Sequence, residues 1–464
     1  MLLTFMLFWY GALLWFSVGP AKLKPPVNLT FNSMLAHLLQ GQFDVDPRIV
    51  GYEGYIRNGH VYSYWGIWCA FLRLPLWIFH RMSVDLTMWS CLAAVCAAGM
   101  AKVRAVLLLQ QRGANDPVAR SAVSLMLAYI VLGGSEIGFL KSTIYQEIVF
   151  WAAAFGAIFV YFAIKGSINR DFDLGTLCCM ALCAGLALLT RVSTGVGLIL
   201  AFGLLLSVLV LQSIIAAPHL QPVIRRWKRA LLDRRILIPL GILAVCIAVT
   251  GAVNYFRWGN PMTFVDFRLY AGNKFFPDRV PRENMYGLFN FRRIPFGVLY
   301  YFFPVWTLKT SGGQLLFEQV QIKWFDLVEL PPSSFLLTDL LSLCFIAFLV
   351  IALFRRRFRT LLPVSQCAAL AAGLLVPCIL MLTAIAMSYR YRMEFYPEMD
   401  FLAFLGLFSI LTEQDMRATF GRCRTWMEAA LIVSAVASFA SLILYDVSLF
   451  GPAQVILQHG FSNL

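Results

Sequence analysis

Three carboxylates stand within ten residues of one another near the start of the chain: Asp44, Asp46 and Glu53. A carboxylate beside apolar surface can have its pKa raised far enough to take a proton from a hydroxyl or an amine. Each is therefore a candidate general base. The spacing of Asp44 and Asp46 also suits a divalent cation, Mg or Mn, held by hard oxygen ligands. The plainer reading is a solvated loop in which Asp46-Pro47 makes a turn. Arg57, His60, Tyr52, Tyr55, Tyr62, Tyr64, Trp65 and Trp68 surround the acids. These rings could stack on a sugar, but aromatics also gather at membrane interfaces without any ligand.

Two basic groups could complement the acids. Arg268, Lys274, Arg279, Arg282, Arg292 and Arg293 gather around Asp266, Asp278 and Glu283. Guanidinium forks bind phosphate oxygens in pairs, which predicts a phosphate or pyrophosphate site. Attraction to anionic lipid headgroups is the competing reading. Residues 389–401, YRYRMEFYPEMDF, place Arg390 and Arg392 among Glu394, Glu398 and Asp400 at the end of an apolar run. They read as a phosphate clamp oriented by acids, or as side chains snorkelling from a helix end. Arg191, on a tight hairpin, fits the same two readings, and Lys141 pairs in sequence with Glu136.

The elements that must position these groups are membrane helices. The 464 residues are 60% hydrophobic and 13% charged, with a mean hydropathy of +0.74, where a soluble domain carries roughly 25% charged residues. A helical crossing takes about 20 apolar residues. The expected fold is all-α, a polytopic membrane protein forming a single membrane domain over 1–464, with about eleven transmembrane helices. The spans fall at 2–19, 83–101, 118–133, 144–164, 174–190, 194–212, 236–254, 336–354, 361–387, 399–412 and 427–449. The stretch 66–80, broken by Arg73 and Pro75, reads as re-entrant or interfacial.

Charge placement gives an orientation. The net charge of +14 is dispersed in short clusters between apolar runs, which argues for membrane topology and against nucleic acid. Alternating loops carry Lys102, Arg104, Arg112 and Arg120, then Lys165 and Arg170, then Arg225 to Arg235, Arg355 to Arg359 and Arg417 to Arg424. The positive-inside rule puts these in the cytoplasm, with the N-terminus, and puts the C-terminus outside. The first residues lack a basic n-region and a small-residue cleavage site, and read as the first membrane helix. Two long loops, 20–66 and 255–335, then lie on the outer (periplasmic or lumenal) face, the second one basic. Within the first, Leu35, Leu38 and Leu39 share a face of an amphipathic helix over 31–43. Most of the eleven cysteines lie in apolar spans and the long loops contain none, so neither a disulfide framework nor a zinc site is expected.

Several segments together resemble the GT-C glycosyltransferases, multispanning enzymes that use polyprenyl-phosphate sugars and include protein mannosyltransferases and the lipid A aminoarabinose transferase. They are the first outer loop with its helix and acids, the G-x-x-Y-x-Y-x-G run at 59–66, GLALLTR at 185–191, NYFRWGNPMTF at 254–264 and YRYRMEFYP at 389–397. The resemblance implies inverting transfer of a sugar at the outer membrane face, from a polyprenyl-phosphate-linked donor to a lipid, glycan or protein acceptor. The setting it implies is a bacterial inner membrane, with membrane lipids all around. A first-loop acid would deprotonate the acceptor, and basic residues would hold the leaving phosphate. Many family members carry an acidic pair at the start of the surface helix. Here that stretch reads Val27-Asn28-Leu29-Thr30, so Asp44, Asp46 or Glu53 takes the role, or catalysis has been lost.

Three other classes compete. An O-antigen ligase or polymerase would rely on the arginines at 268–293. A transporter or flippase of lipid-linked sugars would want charges in mid-helix, of which the sequence shows few. A non-catalytic membrane protein would fit the missing acidic pair.

Overall fold

The computed structural model describes residues 2–18, 26–113, 116–138, 140–216, 232–275, 277–304, 324–329 and 333–447. Among these, eight helices are long and apolar enough to cross a membrane: Thr87–Arg112, Pro117–Gly138, Ile144–Asn169, Val192–Ile215, Arg234–Trp258, Val364–Thr383, Tyr389–Thr412 and Gln414–Leu444. Three shorter apolar helices, Leu3–Phe16, Leu174–Leu188 and Leu340–Leu353, join the same bundle. The chain is a multi-pass integral membrane protein. The basic run Arg225 to Arg229 and residues 305–323 of the second loop lie outside the described residues.

Local chemistry fixes the helix ends. Asp116, Asp173 and Asp233 each cap a helix by accepting from a backbone N–H of its first turn. All three sit at the end of the bundle away from the long loops. Small residues set the close packing: a Cβ at Gly406 would lie 1.9 Å from the Phe345 carbonyl oxygen, and one at Gly373 would lie 2.1 Å from the Ala201 nitrogen.

Several spans run further than expected: the one expected at 427–449 begins at Gln414 and so takes in Arg417, Arg422 and Arg424. Lys102, expected in a loop beyond the span at 83–101, lies inside the helix Thr87–Arg112 and is 4% exposed. The helix continues through it because Glu136 and Asp400 neutralise it, at 2.7 and 2.9 Å. A lone lysine after an apolar run looks like a helix end only while its partners are unknown.

The long-loop end is built from short elements. The helix Thr30–Leu38 buries Phe31, Met34 and Leu35 against Trp65, Ile67 and Ile144. It is thus part of the protein core, more than a ribbon on a lipid surface. A hairpin follows, β1 (Tyr55–Arg57) paired antiparallel with β2 (His60–Tyr62). Its turn is Asn58-Gly59, both at positive φ (52° and 81°), the conformation in which Asn-Gly closes a two-residue turn. The 66–80 stretch forms two short helices, Trp68–Phe71 and Leu74–Ile78. In the second loop, β3 (Leu327–Val328) lies parallel to β4 (Ala386–Met387), beside the 3₁₀ helix Tyr389–Phe395.

Candidate functional site

The three first-loop acids face different surroundings. Asp44 accepts from the Nδ1 atoms of His37 and His60, at 2.8 and 2.7 Å, and so ties the Thr30–Leu38 helix to the hairpin. Burial would raise its pKa, but the two histidine hydrogen bonds outweigh that and hold the carboxyl below its ordinary range. Asp46 caps the turn Pro47–Val50 by accepting from the Arg48 N–H at 2.8 Å, and its own N–H donates to Ser33 Oγ. Glu53, in the 3₁₀ turn Gly51–Glu53, lies beside Tyr145, the second residue of the helix Ile144–Asn169.

The expected cation site at Asp44 and Asp46 does not form. Both Asp44 oxygens are occupied by histidines and Asp46 is engaged in its cap. Among the described residues, no three His, Cys, Asp or Glu side chains converge to hold a metal ion. An Asp-x-Asp pair supplies convergent ligands only when both carboxylates turn the same way. Here the two carboxylates are committed to different partners, Asp44 to His37 and His60 and Asp46 to the Arg48 N–H.

Glu53 shares its surroundings with a cation. The Arg390 guanidinium stands over the Tyr145 ring, 4.9 Å from its centroid, and over Tyr391 at 5.6 Å. Arg390 Nη1 is 3.3 Å from Glu329 Oε1. Glu329 is held in turn by Ser388 Oγ and the Tyr389 N–H, and by the β3–β4 pairing that brings its own N–H to the Met387 carbonyl. Tyr391 carries a second guanidinium: Arg191 is 5.1 Å from its centroid. Arg191 pairs with Glu394, which also accepts from Ser193 and Thr194 at 2.7 and 2.6 Å. Burial works against the Arg191 charge, but Glu394 more than offsets it and raises its pKa. Tyr64 borders the same space, near Tyr391 and Glu53.

The first loop reaches these side chains because it docks on the Arg191 hairpin. The Trp68 N–H donates to the Leu189 carbonyl at 3.1 Å. Gly66 permits that approach, since a Cβ there would fall 2.0 Å from the same oxygen. The second loop closes on the first through Ala271 N–H to Gly54 O, 2.9 Å, and through Tyr55 packed among Trp258, Tyr64, Phe267 and Tyr270.

The other candidates lie elsewhere. His60 and Tyr62 belong to the hairpin, His60 on Asp44 and Tyr62 against Trp258. Arg57 donates to the Arg257 carbonyl at 2.9 Å, near a helix end. Arg268 is exposed and pairs with Asp266 at 2.7 Å. Lys274 and Arg292 are exposed beside Phe275 and Trp324. Arg293 is fully buried, and its nitrogens donate to the carbonyls of Gly287, Leu288, Trp324 and Thr383 at 2.9 to 3.1 Å. Arg392, two residues from Arg390, turns inward to Asp339 at 3.1 Å. Lys141 is half-buried just before the Ile144 helix. The sequence reading missed Tyr145, Tyr391 and Glu329. Tyr145 opens an apolar span, so it looked like any interfacial tyrosine.

No protein-family model matches the chain, and no curated protein matches it. Solved structures do. The Archaeoglobus fulgidus oligosaccharyltransferase in complex with Zn and sulfate is 13% identical, with 96% of this chain and 52% of that one covered and a TM-score of 0.49. The archaeal oligosaccharyltransferase AglB from the same organism, in complex with an inhibitory peptide and a dolichol-phosphate, is 14% identical over 96% and 55%, with a TM-score of 0.46. ArnT from Cupriavidus metallidurans bound to undecaprenyl phosphate is 14% identical over 97% and 77%, with a TM-score of 0.45. The chain spans about half the length of the archaeal enzymes.

Proposed function

We propose that this protein transfers a sugar from a polyprenyl-phosphate donor to a lipid, glycan or protein acceptor at the outer face of a membrane. The observation that carries this reading is the meeting of Glu53 and Arg390 on one tyrosine, Tyr145. A base and a cation held around one side chain suit an inverting displacement. Glu53 takes the proton from the acceptor O–H or N–H. The freed lone pair attacks the anomeric carbon, and the bond from that carbon to the phosphate oxygen breaks. Its electron pair leaves on the polyprenyl phosphate, where Arg390 and Arg191 stabilise the growing charge. The proton ends on Glu53 and passes to solvent.

In this reading the eight long helices and the three shorter apolar ones make eleven crossings. The N-terminus is cytoplasmic, the C-terminus is outside, and 20–66 and 255–335 are outer loops of one membrane domain. The setting is a bacterial inner membrane. The arginine-driven ligase mechanism is disfavoured, because Arg293 is consumed by carbonyls and Arg268 by its neighbouring Asp266.

The test is transfer of labelled sugar from polyprenyl-phosphate donors in reconstituted vesicles, with wild type beside Glu53→Gln, Asp44→Asn and Asp46→Asn. Loss of turnover in Glu53→Gln alone, with the fold and donor binding kept, is the expected result. Normal transfer by Glu53→Gln would overturn the assignment of the base. An inactive wild type across a panel of donors would overturn the activity.

A further inference from the structure

The bundle interior holds a charged cluster that plays no part in the proposed transfer. Lys102 Nζ lies 2.7 Å from Glu136 Oε1 and 2.9 Å from Asp400 Oδ2. The Tyr396 ring packs under the same ammonium, 4.9 Å from centroid to nitrogen. The Tyr396 hydroxyl donates to Asp339 Oδ1 at 2.7 Å, and so does that of Tyr129. Asp339 Oδ2 accepts from Thr338 Oγ1 at 2.5 Å and from Arg392 Nη2 at 3.1 Å. Asp339 and Arg392 are fully buried.

The burial of this cluster makes its charge balance matter: Lys102 is 4% and Asp400 6% exposed. Among the described residues the cluster contains three carboxylates, Glu136, Asp339 and Asp400, against two cations, Lys102 and Arg392. Of the other titratable groups, Tyr10 and Cys96 stand near Glu136 on the first two helices, and Glu398 sits on the flank toward Cys378. An excess negative charge taken out of water is expensive.

Two further features point to a ligand. A small cavity is lined by Lys102, Glu136, Asp400, Tyr129, Tyr396 and Ser342, and Glu136 also lines a second, adjoining cavity. Asp400 is 6% exposed, and no hydrogen bond of good geometry closes on its Oδ2 although Lys102 stands near it. We propose that the cavity between Lys102, Glu136 and Asp400 is a binding site for one monovalent cation, a proton or a sodium ion, that balances the cluster. Its chemistry is that of a carboxylate pair sharing one ammonium, with room for one more positive charge. The site does not depend on the transferase reading.

The experiment follows the thermal unfolding midpoint of the full chain in nanodiscs across pH, in choline chloride and in sodium chloride. Wild type is compared with Glu136→Gln and Asp400→Asn, each of which removes one negative charge. A cation bound by the folded protein stabilises it, so without sodium the wild-type midpoint falls by several degrees as pH rises and the proton is lost. If sodium restores the midpoint at high pH, sodium is the ion; if only acid does, the proton is. Either variant that folds should show a flattened response to both. A variant that keeps the wild-type pH and sodium response overturns the proposal, as does a wild type that responds to neither. Failure of both variants to fold would show that the full negative charge is required, and overturns it too.

Discussion

Arg73 and Glu147 face each other at zero exposure, with both guanidinium nitrogens on both carboxylate oxygens. Arg73 precedes the short helix Leu74–Ile78, and Glu147 lies in the first turn of Ile144–Asn169. Arg73 also reaches the Cys69 carbonyl and Asn32 Oδ1 at 3.2 and 3.4 Å. This one guanidinium therefore joins the Thr30–Leu38 helix, the interfacial segment and the membrane bundle. Removing one partner strands a buried charge, and Glu147→Leu should cost roughly 3–5 kcal/mol. The double variant Arg73→Met/Glu147→Leu should recover most of that loss, because an apolar pair strands nothing. Unfolding midpoints of the two variants check this, and a double variant no more stable than the single one refutes it.

Glu53 is expected to carry the proton transfer, and Tyr145 to hold it in place. Glu53→Gln should lower kcat by roughly 10²- to 10⁴-fold with little change in donor KM. Tyr145→Phe removes the hydroxyl that stands beside Glu53. Its kcat should fall by about 10- to 100-fold, by misplacing a base that is still present. A Tyr145→Phe enzyme as active as wild type would remove Tyr145 from the site.

The long helices were legible because an apolar run and a bilayer have matching lengths, so the span expected at 144–164 appears as Ile144–Asn169. Lys102 was not legible, since the acids that bury it come from Ser135–Gly138 and Tyr396–Thr412, far away in sequence. The same limit applied to the site. Asp44, Asp46 and Glu53 were equivalent as letters, and only tertiary contacts give two histidines to the first, a cap to the second and Tyr145 to the third. Arg390 and Arg392 read as one clamp. A 3₁₀ helix has three residues per turn, so positions two apart diverge, and the pair splits between Glu329 and the bundle interior.

That split makes the arginines separable by experiment. Arg390→Ala should lower kcat/KM for the donor by roughly 10²- to 10³-fold, the scale for losing one preorganised charge at the leaving group. Arg268→Ala should transfer normally, since Arg268 is exposed and bound to Asp266. Arg392→Ala should act on stability, because it leaves Asp339 without its cation. Transfer rates and unfolding midpoints of the three variants form the measurement. Equal activity losses at Arg390 and Arg268 would point to general attraction of an anionic lipid in place of a defined phosphate site.

Asp44 gives the acid limb of stability its shape. Its carboxyl is held below the ordinary range by His37 and His60 despite an opposing effect of burial. The folded state thus binds a proton less readily than the unfolded chain, and Asp44 contributes stability that is fully present above the ordinary carboxylate range. That contribution is lost as pH falls through the depressed folded-state value. Asp44→Asn should lower the unfolding midpoint at neutral pH, and the gap to wild type should close as the solution is acidified below that range. His37→Ala and His60→Ala should each remove part of the gap, since each deletes one of the two hydrogen bonds. Midpoints measured at fixed ionic strength decide the matter, and a gap that stays constant with pH would mean that Asp44 stabilises the loop by packing alone.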